Sequence, residues 1–246
     1  MTGTLPRQRT PDPPAATRPP GAAPRPTFGT GTLSRAAALV HTLLTVELMV
    51  LAATGPGLVA LFFLSRSASN LPLAAVCLLP LGPALSAALY ALHRRSRDLT
   101  ELRPARAYAH GWRLNAVPAL KLWAPLLGWL TVIGFSLAHF PVSGLPRWWA
   151  WLLMAIALLS ALWGTYALVL ASLFTFRTAD IARLAAYFLL RHGRATLGTA
   201  SLLVLAAGLA VLFTEALPAL LAAPLLLCLL HTIRPVTIET EEDFTV

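Results

Sequence analysis

LPLAAVCLLPLGPALSAALYALH, residues 71–93, runs directly into RRSRDLTELRPARAYAHGWR, residues 94–113. The first string carries no charge before His93 and has about the length, roughly 20 residues, that a helix needs to cross a bilayer. The second carries Arg94, Arg95, Arg97, Arg103, Arg106 and Arg113 against only Asp98 and Glu101. An excess of Arg and Lys beside an apolar span marks the cytoplasmic side. This junction therefore orients every other segment, and the expected fold class is an all-α polytopic membrane protein.

Composition agrees. Of the 246 residues, 57% are hydrophobic and 12% charged, about half the charge of an ordinary soluble domain. A net charge of +9 raises the question of a nucleic-acid partner, and the placement of the charge answers it. Of 19 Lys and Arg, five precede the first apolar run, seven lie from Arg94 to Lys121 and four from Arg177 to Arg194; Arg234 follows the last run. Only Arg66 and Arg147 fall on the other connections. Such alternation is the signature of cytoplasmic loops beside anionic lipid, so the expected partner is the lipid bilayer and not nucleic acid. Cys77 and Cys228 sit alone inside apolar runs, which suggests neither a disulfide framework nor a metal site.

Residues 1–33 read as a disordered, Pro-rich cytoplasmic tail: eight prolines precede Thr27, with almost no large apolar side chain to offset the entropy of ordering. Residues 34–234 read as a membrane domain of six spans, and 235–246 as an acidic cytoplasmic tail. The first span, 36–64, is interrupted by Gly55-Pro56-Gly57, so it either kinks or ends there. Pro80, Gly82 and Pro83 should break or kink the second, 71–93. An inner loop from Arg94 to Pro118 closes with a short interfacial helix. Arg106, His110 and Arg113 lie on one face of it, Tyr108 and Trp112 on another. The third span covers 119–140. The fourth begins at Trp148, Trp149 and Trp151, an aromatic belt at the outer boundary. Residues 177–194 form a second basic loop whose helix shows Arg183, Tyr187, Arg191 and Arg194 on one side and Ile181, Ala185 and Phe188 on the other. The stretch 195–233 is too long for one crossing and makes a hairpin at Thr214-Glu215, giving spans 195–213 and 216–230 with both termini cytoplasmic. ARAYAHGWR and ARLAAYFLLRHGR carry similar ingredients in similar order, as two parallel repeats would.

The string from Leu81 to Tyr90, LGPALSAALY, followed by the arginine cluster and an aromatic amphipathic segment, resembles the YesL-like family of bacterial integral membrane proteins. The likeness extends over roughly residues 36–215, with its specific part at 82–115. Tyr108 and Trp112 stand where that family tends to carry phenylalanines, and the Pro-rich tail is outside its pattern. The resemblance implies a helical protein of the cell membrane without established activity. Members often stand beside carbohydrate ABC importers, which implies an accessory role in sugar uptake with an ABC transporter permease as partner.

Glu47 is the one acid well inside an expected span. Such a group is costly in lipid and should face protein or water, either as a substrate- or proton-binding carboxyl or as a hydrogen-bonded packing residue. His41 is six residues away, about 120° around the helix, so the two form no dyad. His139, His231 and Glu215 fall at expected boundaries and read as interfacial. No hydrolase, phosphate-loop or zinc motif appears. The expectation is therefore a non-enzyme with no catalytic, cofactor or metal residues. Arg106, Tyr108, Trp112, Arg113, Arg183, Tyr187 and Arg191 are the expected partner or lipid contacts. The alternative is a small-solute transporter or channel, with Glu47 and helices broken at Pro56, Pro80, Gly82 and Pro83 lining the path.

Overall fold

The computed structural model describes residues 32–65, 67–94, 103–174, 176–212 and 216–244. The Pro-rich segment up to residue 31, Arg66, residues 95–102, Thr175, residues 213–215 with the expected turn at Thr214-Glu215, and residues 245–246 lie outside the described residues. Described secondary structure is entirely helical. It comprises α1 (Thr32–Phe63), α2 (Leu71–Cys77), α3 (Leu81–His93), α4 (Pro104–Ala138), α5 (Trp148–Leu173), α6 (Thr178–Arg191), α7 (Gly193–Leu212), α8 (Ala216–Leu220), α9 (Ala222–Thr232) and α10 (Arg234–Phe244), with short 3₁₀ turns at Ala68–Asn70 and Phe140–Val142. Among the described residues, four helices are each long and apolar enough to cross a membrane: Leu33–Phe63, Pro104–Ala138, Trp148–Leu173 and Gly193–Leu212. Two bent pairs raise the number to six if each is one span: Ala68–Cys77 with Leu81–His93, bent by 40°, and Ala222–Thr232 with Arg234–Thr240, bent by 57°.

α3 is the axis of the molecule. Every residue from Gly82 to Leu92 except Leu85 is buried, and α1, α4, α5 and α9 pack around it. Its small residues make this feasible. Ala84, Ser86, Ala87, Ala88 and Ala91 let neighbouring backbones approach closely, which matters in lipid because packing, and not expulsion of water, holds helices together there. α1 presents a stripe at four-residue spacing to this axis, formed by Ala38, Thr42, Val46, Val50 and Thr54. The Thr42 and Thr54 hydroxyls donate back to the carbonyls of Ala38 and Val50, 2.8 Å each, so neither is an unpaired polar group. The opposite side of α1 exposes Val40, Leu44, Leu48, Val59 and Phe62, a surface suited to lipid tails.

Several expectations about continuity need correction. Pro56 does not break the first span: α1 is one helix from Thr32 to Phe63 with Pro56 inside it. Proline at 56 removes only the bond to the carbonyl of Ala52, and the flanking Gly57 serves packing. A Cβ on Gly57 would lie 2.1 Å from the carbonyl oxygen of Cys77, so this glycine is the notch in which the end of α2 rests. The short interfacial helix and the third span are likewise one helix, α4, 35 residues long with Pro118 and Pro125 inside it. Pro104 at its first turn suits a helix start. The Ala-rich run after it favours helix, and contacts with α3, α5 and α6 along its length offset the two missing backbone bonds.

At the second span the chain does turn. α2 ends at Cys77, a turn covers Leu78 to Pro80, and α3 starts at Leu81. Pro80 is the residue at this break, whereas Gly82 and Pro83 are already inside the first turn of α3. A break that the sequence reading did not place divides the expected span 216–230 at Leu221, between α8 and α9. Pro224 follows it in the first turn of α9, where a missing N–H is least costly to a helix. The expected acidic tail from residue 235 folds as most of α10, with Val236, Thr237 and Thr240 buried.

Candidate functional site

The carboxyl of Glu47, near the middle of α1, meets the first turn of α9. A helix leaves its first amide donors without intrahelical partners, and the break at Leu221 exposes such donors inside the bundle. The Ala223 N–H donates to Glu47 Oε2 at 2.7 Å. The partial positive charge of the helix N-terminus favours an acidic group at this position. Glu47 Oε1 is buried and has no hydrogen-bond partner among the described residues. Thus one oxygen of the carboxyl is committed to structure, and the other is buried without a partner among the described residues.

The second break is served in the opposite sense. Trp123 of α4 donates its indole N–H to the Leu78 carbonyl at 3.0 Å, at the end of α2. Gly82 makes room for that indole, since a Cβ there would come 2.4 Å from the Trp123 ring. Deeper between α3, α4 and α5 lies a buried polar tie. Asn115 Nδ2 donates to the Ser172 carbonyl at 3.0 Å, and the Ser172 hydroxyl reaches Ser86 Oγ at 2.8 Å and the Leu168 carbonyl at 2.5 Å. Sequence reading passed over Asn115, Ser86 and Ser172. Their only sequence signal is a polar side chain inside an apolar run, which many membrane helices show.

The expected inner-face residues divide into exposed and buried sets. Arg106 and Arg113 are exposed on α4. Tyr108 is 5% exposed and packs in the main core. Its hydroxyl has no partner among the described residues, so Tyr108 is not a surface contact. Trp112 is half-buried with its ring 6.3 Å from that of Tyr108. On α6, Ile181, Ala185 and Phe188 are buried while Arg183 and Tyr187 are exposed. The Trp163 indole N–H fixes α6 to α5 by donating to the Ala182 carbonyl at 3.0 Å.

Arg191 is a bridging residue. Its Nε lies 2.9 Å from Glu239 Oε1, and His192 Nε2 lies 2.7 Å from Glu239 Oε2. One carboxylate of α10 thereby holds the end of α6. The guanidinium also stands 5.5 Å from the centroid of Tyr187. Of the residues read as interfacial, His139 lies against Phe135 with ring centroids 4.2 Å apart, His231 is exposed and Glu215 lies outside the described residues. Among the described residues, no group of three His, Cys, Asp or Glu is arranged to hold a metal ion.

Fold and site together define the class: described residues that are helical throughout their regular structure, with four to six helices able to cross a membrane, a carboxyl at a helix break and exposed arginines on α4 and α6. Comparison with protein-family models, with curated proteins and with solved structures finds no match.

Proposed function

We propose that this is a multi-pass protein of the cell membrane, with both termini cytoplasmic, that acts as a non-enzymatic accessory component of a carbohydrate ABC uptake system. The resemblance to YesL-like proteins motivates the system. The observation that carries the mode of action is the outer edge of α6. Arg183, Tyr187 and Leu190 stand exposed on a helix whose other face is locked into the core, and whose end is clamped by Glu239. A rigid edge of cationic, aromatic and aliphatic side chains has the composition of a protein contact. The permease of the importer would take this edge.

Purification of tagged protein from its native membrane in mild detergent, with mass spectrometry of what accompanies it, tests this reading. A permease recovered near stoichiometry, and lost with Arg183→Glu and Tyr187→Ala, is the expected result. Partner-free wild-type protein would sink the proposal.

A second reading is favoured by one observation, the Glu47 Oε1 without a partner among the described residues, beside the Ala223 amide of α9. A small-solute transporter would use that oxygen for a cation, a proton or a substrate hydroxyl. Flux into liposomes abolished by Glu47→Gln supports this reading; a variant with wild-type flux removes it.

A further inference from the structure

The last turn of α3 and the first turns of α4 meet around one aromatic ring. The Arg94 guanidinium carbon stands 4.8 Å from the centroid of Tyr90, a cation–π distance. On α4, the His110 ring lies 5.8 Å from that same ring. Tyr90 is well fixed, being 8% exposed and pressed against Gly111, where a Cβ would come 2.9 Å from the Tyr90 side chain. Arg106 and Arg113 lie four residues before and three after His110, so they continue the row on one side of α4. Arg94, Arg106, His110 and Arg113 are all exposed, and among the described residues none of them pairs with a carboxylate.

The exposed side of α4 changes character immediately beyond this row. Leu114, Val117 and Leu120 are 52%, 62% and 40% exposed, an apolar strip for lipid tails. Lys121 is exposed within that strip, about 12 Å along the helix axis from Arg113 at 1.5 Å per residue. Helical side chains lean towards the N-terminus, and a lysine in lipid extends its ammonium to the nearest polar layer. For Lys121 that direction is towards the arginine row. Apolar strip, returning lysine and cationic row thus place the polar boundary of the bilayer at residues 106–113.

We infer that this row is a seat for the phosphate-bearing headgroup of an anionic lipid. The phosphate sits among Arg94, His110 and the α4 arginines, and the acyl chains lie on Leu114, Val117 and Leu120. The inference needs α4 to cross the bilayer and is independent of the accessory role. It differs from the general attraction of basic loops to membranes by having a fixed platform, Tyr90, between the Arg94 guanidinium and the His110 ring.

Native mass spectrometry of the full chain in uncharged detergent tests it, with phosphatidylglycerol, phosphatidylcholine of the same chains and inorganic phosphate as probes. One phosphatidylglycerol retained in preference to phosphatidylcholine is expected, with retention about tenfold weaker for Arg94→Ala combined with His110→Ala. Arg106→Ala with Arg113→Ala changes only exposed side chains and should give the same loss should the first variant misfold. Arg183→Ala with Arg194→Ala removes two exposed cations elsewhere and should leave retention unchanged. Equal retention of both lipids overturns the inference, as does equal loss in the Arg183/Arg194 variant, which would show diffuse charge alone. Displacement of the lipid by millimolar phosphate would overturn the assignment to a lipid.

Discussion

The break between α2 and α3 and the break between α8 and α9 solve one problem with opposite chemistry. Where a helix stops inside a bilayer, its unpaired backbone groups have no water to turn to. At Leu78 the group is a carbonyl at a helix C-terminal end, bonded by the Leu81 amide, and Trp123 supplies a second donor. At Ala223 it is an amide at a helix N-terminal end, and Glu47 supplies an acceptor. Both breaks lie beside α1, which offers Gly57 to the Cys77 carbonyl and Glu47 to α9. The difference lies in what is left over. The indole N–H is a single donor and is used up, whereas the carboxyl keeps a second oxygen, Oε1, without a partner among the described residues. A break closed by tryptophan leaves no spare polar atom on the closing side chain; a break closed by glutamate leaves a carboxyl oxygen.

The largest effect should come from the notch at Gly57. Gly57→Ala places a Cβ on a backbone carbonyl that cannot swing away, so α1 and α2 must separate. We expect a loss of about 1–3 kcal/mol, read as a lower melting temperature in detergent. Gly55→Ala, with nothing within 4 Å of its Cβ, should be neutral or stabilising by up to about 1 kcal/mol. Equal destabilisation by both would mean that α1 is set by Pro56 and not by the notch.

Next is the carboxyl. Glu47→Leu leaves the α9 amide without an acceptor and should cost about 1–3 kcal/mol, with faster hydrogen exchange at Ala222 and Ala223. Glu47→Gln retains a carbonyl acceptor and should cost less, so a stability loss as large as that of Glu47→Leu would show that charge, not the hydrogen bond, closes this break. Trp123→Phe should cost about 1 kcal/mol, because the Leu78 carbonyl keeps its bond from the Leu81 amide, 3.1 Å. If Trp123→Phe proves costlier than Glu47→Leu, the ranking of the two breaks is reversed.

The smallest effect belongs to the clamp at the end of α6. Glu239→Gln removes an ion pair with the half-exposed Arg191 and weakens the contact with His192. Partly exposed pairs contribute about 0–1 kcal/mol and are screened by salt. The variant should therefore melt close to wild type and increase protease access at the C-terminus without altering α8 or α9. Opening at the α8–α9 break would connect the clamp to Glu47.

Sequence alone determined the class of this protein. Apolar runs near bilayer length and arginines crowded onto alternate connections are statements about transfer from water to lipid, and they hold whichever helices touch. It also singled out Glu47, because one acid in an apolar run is conspicuous. Tertiary structure decided which proline breaks a helix. Pro56 and Pro118 remain inside helices, while Pro80 and Pro224 accompany breaks. Each costs much the same locally, so the outcome rests on whether neighbours hold the helix straight or supply partners for the groups a break exposes. Tertiary structure likewise buried Tyr108, joined Asn115 to Ser172 and drew α10 onto α6. Those pairings lie far apart in the chain, and distance in sequence carries no record of which faces meet.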